Sequence, residues 1–554
     1  MRTAPWLIVL AFGACVESDP RPAADTISPD MTPGDVTEVV PDGATGCTAN
    51  GCASTGMPCT ENVCVPETGR CVEQARPEGF PCDDADACTQ DDACGGAADA
   101  GVCVGRAVVC EAVSDCESAG VCNPLSGVCS TLRLPDGTAC EDASAPDGAG
   151  TVSGVCGAGQ CRRLPRLALG GFHGCVIRDD DSVRCWGRNE EGQLGLGHTT
   201  NVGDGFSGLD VRDAGPVDLG SVHSLALGTV ASCAIASGEL RCWGDGFDGV
   251  LGQGDLEDLG GTPGSVPSAI PAVQLGTSFV LEAVAIEQKG ACSVSDTGGV
   301  KCWGTKATGY PGTPKVGVPG TPTIAEMGLV EVGTPLDPFP VDELVRGDNH
   351  VCVRSSGRVR CWGYGPLIGQ DDFGWIGDDE PPSSAPDLTE GWEAASLSAS
   401  GGHTCAVTRA GTIRCWGRNE SGQLGNGGTG DLVGVAGQIP FPSELRATKV
   451  VAGGLHSCAL FTDATVRCWG DNHAGALGRG DEVTPIARAV DVVPVELGGP
   501  AFDLAVGTNF TCAVMRDGAV RCWGDGSSGC LGTNATETVG DEPQDMPPQA
   551  IVFD

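Results

Sequence analysis

The chain has 554 residues, among them 32 cysteines, 87 glycines and 37 prolines, and a formal net charge of −41. Its 40% hydrophobic content is enough for a core, which excludes disorder of the whole chain. Because 73 acidic residues oppose 32 basic ones, the charge balance disfavours nucleic-acid phosphates, and we expect no nucleic-acid partner. The many cysteines, none in a CxxC pair, indicate disulfides and an oxidising compartment.

The N-terminus predicts export. Residues 1–14 carry one arginine and a nine-residue apolar run, Trp6 to Ala14, too short to cross ~30 Å of hydrocarbon as a helix. The small residues before Cys15 resemble the lipobox of bacterial lipoproteins. This resemblance implies a lipid anchor at Cys15 and attachment to the outer membrane, with the protein facing the periplasm or the cell surface. In the alternative, residues 1–14 are an ordinary signal peptide and Cys15 is a plain thiol.

Two segments without a large core follow. Residues 15–46 are acidic and proline-rich, which predicts a disordered tether. Residues 47–163 hold sixteen cysteines and few large apolar residues, which predicts small, irregular, disulfide-stapled modules whose pairing the sequence leaves open. Asp83, Asp84 and Asp86 are oxygen ligands of the kind that Ca²⁺ prefers, but the spacing is not that of an EF-hand. A solvated acidic turn is therefore the favoured interpretation.

A repeat occupies residues 164–554. A Cys-Trp-Gly triplet recurs seven times at intervals of 53 to 60 residues, and another cysteine precedes each triplet cysteine by nine or ten residues. A fixed period of this size, with short β-type runs between turn residues, predicts an all-β repeat architecture.

The cysteine spacing fits a β-hairpin in every copy. Two-residue turns such as Ser237-Gly238 serve the shorter spacing, and three-residue turns with Gly298, Gly411 or Gly518 in the left-handed position serve the longer one. Both place the cysteines opposite each other on neighbouring strands, within bonding reach. The predicted disulfides are Cys175–Cys185, Cys233–Cys242, Cys292–Cys302, Cys352–Cys361, Cys405–Cys415, Cys458–Cys468 and Cys512–Cys522.

The fifth copy shows the full pattern in residues 402–407 (GHTCAV), 414–419 (RCWGRN) and 422–425 (GQLG). These motifs closely resemble the repeat of the regulator of chromosome condensation family, and seven copies imply that family's seven-bladed β-propeller over residues 164–554. The third and fourth copies lose the Gly-x-Leu-Gly end. We expect the C-terminal strand, near residues 548–552, to join the first blade and close the ring.

No group of residues predicts catalysis, and we expect no enzyme activity, cofactor or metal. Four histidines stand two residues before the first cysteine of their copies: His173, His350, His403 and His456. A shared metal site is one interpretation, but repeat equivalence favours a structural contact within or between blades. Cys530 is left over from the pairs, and three fates stay open for it: a free thiol, an intermolecular link or an inert buried thiol.

Aromatic residues that break the repeat form a candidate binding patch. Tyr310 and Tyr364 follow the triplets of the third and fourth copies, and Phe373 and Trp375 lie in the long loop after the fourth. Aromatic side chains in variable loops on a rigid scaffold suit a binding site. Packing into the space left by the lost motif is the open alternative.

These features together predict an exported, lipid-anchored module for protein binding or scaffolding at the cell envelope. Its protein partner is unidentified, and its membrane contact is through the lipid alone. Two alternatives stay open. The family resemblance implies guanine-nucleotide exchange, and secreted propellers with similar repeats imply an enzyme inhibitor.

Overall fold

In the computed structural model the described residues form β-strands, turns and irregular segments, with only short 3-10 turns as helical elements. The structure describes residues 52, 56–95, 102–112, 116–134, 138–142, 152–157, 160–304, 323–370, 374–378, 380–430, 437–439, 441–481, 483 and 485–553. The predicted signal peptide and tether lie outside these residues, as do Cys15, Tyr310 and Phe373. Within the described ranges, no helix has the length and apolarity needed to span a bilayer.

The chain divides into two compact units, one of Met1–Val109 with Cys122–Cys129 and the other of Cys110–Val121 with Ser130–Asp554. The strands of the cysteine-rich region are β1 (Thr60–Val65) paired with β2 (Arg70–Ala75), β3 (Thr89–Cys94) with β4 (Cys103–Ala107), β5 (Glu117–Cys122) with β6 (Cys129–Arg133), and β7 (Ala139–Asp142) with β8 (Val152–Gly157) and β9 (Gln160–Arg163).

Disulfides rather than apolar side chains form the interior of the cysteine-rich region. Every residue of β2 is exposed, whereas Cys59 and Cys116 are fully buried. A segment this poor in apolar residues needs such covalent links to hold one structure. The links include Cys52–Cys71, Cys59–Cys94, Cys82–Cys103, Cys88–Cys122, Cys116–Cys156 and Cys140–Cys161.

The second unit contains seven successive antiparallel sheets, the blades of a β-propeller. Their strands are, for blade 1, β10 (Arg166–Leu169), β11 (His173–Ile177) and β12 (Val183–Gly187); blade 2, β13 (Val222–Leu227), β14 (Ala231–Ala236) and β15 (Glu239–Gly244); blade 3, β16 (Leu281–Glu287), β17 (Gly290–Ser295) and β18 (Val300–Gly304); blade 4, β19 (Glu343–Arg346), β20 (His350–Ser355), β21 (Arg358–Tyr364) and β22 (Trp375–Ile376); blade 5, β23 (Ala394–Ser400), β24 (His403–Thr408) and β25 (Ile413–Gly417); blade 6, β26 (Ala447–Ala452), β27 (His456–Phe461) and β28 (Val466–Gly470); and blade 7, β29 (Ala501–Val506), β30 (Phe510–Met515) and β31 (Val520–Gly524). Single 3-10 turns lie at Phe247–Gly249, Gly365–Ile368, Pro382–Ser384, His473–Gly475, Ala489–Asp491, Ser527–Gly529 and Pro543–Asp545.

The second and third strands of each blade form a hairpin with two directly opposed cysteines. In blade 1 the register pairs Cys175 with Cys185, and the structure links them as a disulfide. The equivalent cysteines of all seven blades are linked in the same way, with Cα atoms 4.0–4.1 Å apart. Ser237 and Gly238 both adopt left-handed φ values, 51° and 78°, as a two-residue hairpin turn requires, and Gly298 does so in a three-residue turn with φ 78°.

A fourth, outer segment completes each blade, and it comes from the residues that follow the hairpin. In blade 1 the N–H of Val217 donates to the carbonyl of Val183 (2.9 Å), and in blade 7 the N–H of Ile551 donates to that of Val520 (2.8 Å). The prediction that the C-terminal segment joins the first blade is therefore wrong. The segment lies beside the third strand of its own blade, as in the other copies.

The basic residue before the third-strand cysteine holds this outer segment in place. In blade 2, Nη1 of Arg241 donates to the carbonyl of Ile270 (2.6 Å). In blade 3 the Lys301 ammonium, on a residue only 6% exposed, donates to the carbonyl of Ile324 (2.9 Å), which precedes the outer segment of its own blade, and to that of Leu275 (2.8 Å), which follows the outer segment of blade 2. The positive charge is therefore surrounded by the carbonyl oxygens that its burial requires.

Packing between blades closes the ring. The first strands contact one another in the order β10, β13, β16, β19, β23, β26, β29 and back to β10. Between blades 7 and 1, Nε1 of Trp186 donates to the carbonyl of Cys530 (2.9 Å), and the ring centroid of Trp186 lies 5.7 Å from that of Phe553. Closure therefore depends on buried side-chain contacts rather than on a strand shared between the first and last blades.

Candidate functional site

The first strands of the blades surround a central channel. A cavity of about 610 Å³ in this channel is lined by residues of all seven first strands. We define the loop face as the end of the propeller that carries the turns between first and second strands and the segments that follow the triplets. Backbone bonds connect these two sets of segments, from Arg188 N to Phe172 O (3.0 Å) and from Tyr364 N to Asn349 O (3.1 Å). The opposite end, which carries the tight hairpin turns, is the turn face.

The four equivalent histidines join neighbouring blades. Each is at most 1% exposed, and burial lowers the pKa to about 3 for His173, His350 and His403 and to about 4 for His456. Each Nε2 lies 2.7–3.0 Å from a hydroxyl of the next blade, in the pairs His173–Ser232, His350–Thr404, His403–Ser457 and His456–Thr511. In the described part of the chain, no histidine belongs to a group of potential metal ligands. These histidines therefore form structural contacts between neighbouring blades.

A shared carbonyl extends this contact into a junction. The hydroxyl of Ser232 donates to the carbonyl of Gln193 (2.8 Å), which also accepts the indole N–H of Trp243 (2.9 Å). Because the single hydroxyl proton is used there, His173 donates from Nε2 to Ser232 and is neutral. The same junction recurs between blades 5 and 6, where Gln423 supplies the carbonyl.

The junction is incomplete on either side of blade 4. The buried indole Nε1 atoms of Trp362 and Trp416 have no hydrogen-bond partner among the described residues. The Gly-x-Leu-Gly segment that supplies this carbonyl elsewhere is missing from the third and fourth copies. The scaffold therefore departs from the repeat in one sector, formed by blades 3 and 4.

Charged residues enter the channel in this same sector. Arg346 lies at the end of β19, and its equivalents in the other blades are Leu169, Leu227, Ile286, Ala399, Ala452 and Val506. Glu287 ends β16 where most blades have glycine or serine, and Asp348 lies two residues after Arg346. All three line the cavity. The sequence analysis missed these three residues. They could have been found by aligning the seven copies, because they are charged at positions where most other copies have apolar or small residues.

Burial determines the electrostatics of this cluster. It raises the pKa of Glu287 to about 7, and the charge of Asp348 adds to this effect. Oε2 of Glu287 accepts hydrogen bonds from Oγ1 of Thr229 (2.9 Å) and from the N–H of Gln288 (3.1 Å). Burial also lowers the pKa of Arg346 to about 10, which leaves the guanidinium charged at neutral pH. The channel therefore contains a fixed cation and a carboxyl group that titrates near neutrality.

The two described members of the predicted aromatic patch lie together on the loop face. Tyr364 and Trp375 are cross-strand neighbours in β21 and β22, with ring centroids 5.6 Å apart. Both are half-buried. Tyr310 and Phe373 lie outside the described residues. The structure thus brings Tyr364 and Trp375 into one cluster that keeps part of its surface open to solvent.

Two further aromatic residues on the loop face escaped the sequence reasoning. Phe206 is 84% exposed in the segment after the blade 1 triplet, and Phe247 is 63% exposed just after the blade 2 triplet. Both copies keep the Gly-x-Leu-Gly end of the repeat, so nothing in the motif pattern distinguished them. Large exposed aromatic side chains are typical anchors of protein interfaces.

The acidic turn of the cysteine-rich region is organised by its own backbone. Oδ1 of Asp83 accepts the N–H of Ala85 (2.8 Å), and Oδ1 of Asp84 accepts the N–H of Asp86 (2.9 Å). Asp92 joins Asp83 and Asp84 in a group of nearby carboxylates. Because these oxygens already accept local hydrogen bonds, the geometry is that of a capped turn.

Cys530 is a buried thiol of blade 7. It is 1% exposed, and its Sγ donates to the carbonyl of Phe172 (3.1 Å). Burial raises the pKa of this thiol to about 12. Such a group is protonated and unreactive at neutral pH.

Family models match four of the seven blades. The model described as "Regulator of chromosome condensation (RCC1) repeat" matches residues 166–193, 394–423, 447–476 and 503–530, and a second model of that description matches residues 411–460. The chain contains RCC1 repeats. Blades 2, 3 and 4 lie outside the matched residues, so the polar channel cluster and the Tyr364–Trp375 pair occupy the part of this RCC1 propeller that departs most from the family pattern.

Relatives of this RCC1-repeat chain have varied overall constructions. The chain is 25% identical over 387 residues to the ultraviolet-B receptor UVR8 of Arabidopsis thaliana, covering 67% of this chain and 79% of the receptor. It is 26% identical over 365 residues to the human E3 ubiquitin-protein ligase HERC2, covering 64% of this chain and 7% of the ligase. The chain therefore spans only a small part of the ligase.

Two solved structures resemble this chain at low identity. Yeast RCC1 (Prp20), in its complex with Kap60, has 20% identity and a TM-score of 0.49, covering 67% of this chain and 84% of that one. Human WBSCR16 has 18% identity and a TM-score of 0.48, covering 67% and 94%.

Proposed function

We propose that this RCC1-repeat chain is a non-catalytic protein-binding module that is exported and anchored to the cell envelope through lipid on Cys15. The binding surface is the loop face of the propeller, and the partner is a protein. The observation that carries the proposal is the set of non-repeating aromatic side chains on that face.

The loop face has the composition of a protein interface. The rings of Phe206 and Phe247 are largely exposed, and Tyr364 and Trp375 form a half-buried pair. Burying such rings against a partner removes apolar surface from water, which stabilises the complex by about 25 cal/mol per Å² of buried surface. The blades beneath are fixed by disulfides and by fully buried tryptophans, so the rings are presented with little loss of conformational entropy on binding.

The disulfides support export. Each blade carries one, and the cysteine-rich region carries more, a density typical of oxidising compartments. Cys15 lies outside the described residues, so its acylation needs a biochemical test. Metabolic labelling with a radioactive fatty acid should label the wild-type chain and leave Cys15→Ala unlabelled, and Cys15→Ala should leave the membrane fraction. A labelled Cys15→Ala chain would contradict the lipid-anchor proposal.

Binding is tested by affinity capture with the full chain from envelope fractions. The double variant Tyr364→Ala/Trp375→Ala and the double variant Phe206→Ala/Phe247→Ala should each reduce capture at least tenfold. The matched control is Leu336→Ala, which removes a side chain that is 99% exposed near the turn face.

The outcome separates the alternatives. A partner lost with either aromatic variant and retained with Leu336→Ala supports the proposal. Capture that is unchanged in both aromatic variants contradicts it. A small GTPase as the captured partner, with accelerated nucleotide release in its presence, would favour the exchange-factor alternative. A captured and inhibited secreted enzyme would favour the inhibitor alternative.

A further inference from the structure

Two exposed apolar side chains lie next to each other on the loop face of blade 2. Phe247 is 63% exposed and Leu256 is 45% exposed. The backbone of residues 256–257 lies directly against Gly246, where an added Cβ would collide with the carbonyl oxygen of Glu257. The missing side chain at Gly246 therefore allows Leu256 to approach the backbone that carries Phe247. With the exposed acids around them these residues form the blade 2 patch, which we define as Phe247, Asp255, Leu256, Glu257 and Asp258.

The negative charge of the blade 2 patch is not offset by nearby cations. Between Arg241 and Lys289 the chain contains no lysine, arginine or histidine. Among the described residues, no ion pair involves the three carboxylates of the patch. Burial raises the pKa of the adjacent Asp245, and the negative charges of Asp258 and Asp248 add to this effect. The patch therefore presents apolar surface in a negative electrostatic potential.

Hydrogen bonds hold the blade 2 patch in one conformation. Oδ1 of Asp245 accepts the N–H of Phe247 (2.8 Å), and Oδ1 of Asp258 accepts the N–H of Gly246 (2.9 Å). At the base of the loop, Gly244 and Leu259 exchange two backbone hydrogen bonds of 2.8 and 3.0 Å. A partner that binds this loop therefore pays little conformational entropy to order it.

The repeat itself does not require an aromatic residue at the position of Phe247. The other copies that keep the Gly-x-Leu-Gly end have polar residues there, namely Glu190, Glu420, His473 and Ser527. Because those copies build the same blade without the ring, Phe247 is a feature of the surface of blade 2 and not of its core. Exposed aromatic residues of this kind are typical anchors of protein interfaces.

Charge and apolar surface together determine which partner fits the patch. Exposed carboxylates attract lysine and arginine side chains and repel acidic ones, and the exposed rings and methyl groups gain by contact with apolar side chains. We propose that the blade 2 patch binds a basic protein segment: lysine or arginine side chains face its three carboxylates, and apolar side chains cover its phenylalanine and leucine. This inference rests on the proposed function and specifies the chemistry of the partner at one part of the loop face.

The probe is a synthetic peptide with capped ends and the sequence KKLFLKK, in which lysines flank an apolar centre. Its binding to the full chain is measured by fluorescence anisotropy at about 0.15 M and about 0.5 M salt. We expect a dissociation constant below about 1 mM at the lower salt concentration and weaker binding at the higher one, because salt screens exposed charges. The peptide KKSGSKK keeps the charge and loses the apolar centre, so it should bind about tenfold more weakly. The peptide EELFLEE should not bind.

Variants of the chain locate the binding to the patch. Asp255→Asn/Glu257→Gln removes two exposed charges and should weaken KKLFLKK binding about fivefold, and Phe247→Ala should weaken it to a similar extent. The matched control is Glu444→Gln/Glu496→Gln, which removes two exposed charges that precede the first strands of blades 6 and 7. Because this control has the same net charge as the first variant, it should bind the peptide within twofold of wild type.

The proposal is overturned if KKLFLKK does not bind the wild-type chain, if KKSGSKK binds as strongly, or if the test and control variants lose the same affinity. Spermine has a charge similar to that of the peptide and no apolar centre, and it should compete weakly. Displacement of the peptide by an equal concentration of spermine would assign the patch to a polyamine and overturn the assignment to a protein. These results are distinct from a failure of the proposed function, which is contradicted only if capture of the partner is unchanged in both aromatic variants.

Discussion

Acidification should unfold the propeller through its four inter-blade histidines. In the folded chain these imidazoles are neutral, with pKa values near 3 or 4, because burial penalises their charged form. In the unfolded chain they titrate near their ordinary pKa of about 6.5. Below that pH the unfolded chain binds protons that the folded chain does not bind, so the free energy of unfolding falls as the pH falls.

The size of the effect follows from counting protons. Between about pH 6 and pH 5 the four histidines contribute about three to four protons taken up on unfolding. Glu287 acts in the opposite direction, because its raised pKa of about 7 keeps a proton in the folded chain that the unfolded chain releases until the pH approaches 4.5. The net uptake is about three protons, or about 4 kcal/mol of lost stability per pH unit.

Urea denaturation at fixed ionic strength, followed by tryptophan fluorescence, measures this slope. Nine of the ten tryptophans lie in residues 164–554, so the signal reports the propeller. In the variant His403→Phe, which places at this position the residue type that blade 7 has naturally at Phe510, the uptake should fall by about one proton. An uptake of one proton or fewer in the wild-type chain would refute the reasoning.

Two further predictions concern buried groups. Cys530 should resist iodoacetamide in the native chain at about pH 8 and react fully in denaturant, because burial keeps the thiol protonated. Mass spectrometry measures the labelling. Rapid labelling of the native chain would show that blade 7 opens at Cys530. Lys301→Met should lower stability by about 2–3 kcal/mol, because it removes the ammonium donor from the carbonyls of Leu275 and Ile324, of which Ile324 keeps the N–H of Met327 (3.2 Å). The matched control is Arg409→Met, whose ion-pair partner and side chain are both more than half exposed, and it should change stability by less than about 1 kcal/mol. Equal melting temperatures for these two variants would contradict the role given to Lys301.

The blade hairpins were predictable because their determinants are local. The distance from Cys175 to Cys185, together with the turn residues between them, fixes the register within one short window of sequence. In blade 2 the turn at Ser237 and Gly238 is one residue shorter, and so is the spacing between the two cysteines. Cys233 and Cys242 therefore still lie directly opposite each other. Because the same hairpin recurs in all seven copies, its prediction in one copy extends to the whole propeller.

The outer segments and the channel cluster depend on longer-range geometry. The sequence around Ile551 fits an outer strand of either blade 7 or blade 1. Only the path of the chain after blade 7 determines that Ile551 pairs with Val520 of blade 7. Arg346 and Glu287 are recognised as exceptions only when the first strands are aligned on the histidine. In blades 2 and 3 that histidine is replaced by Ala231 and Gly290, which obscures the alignment.

Peptide mapping of the unreduced, full-length protein by mass spectrometry tests most directly whether seven covalently closed hairpins build the scaffold. We expect seven linked peptide pairs, each confined to one blade, as in Cys405 with Cys415, and a thiol at Cys530. Free thiols at these paired positions, or links from one blade to another, would contradict it.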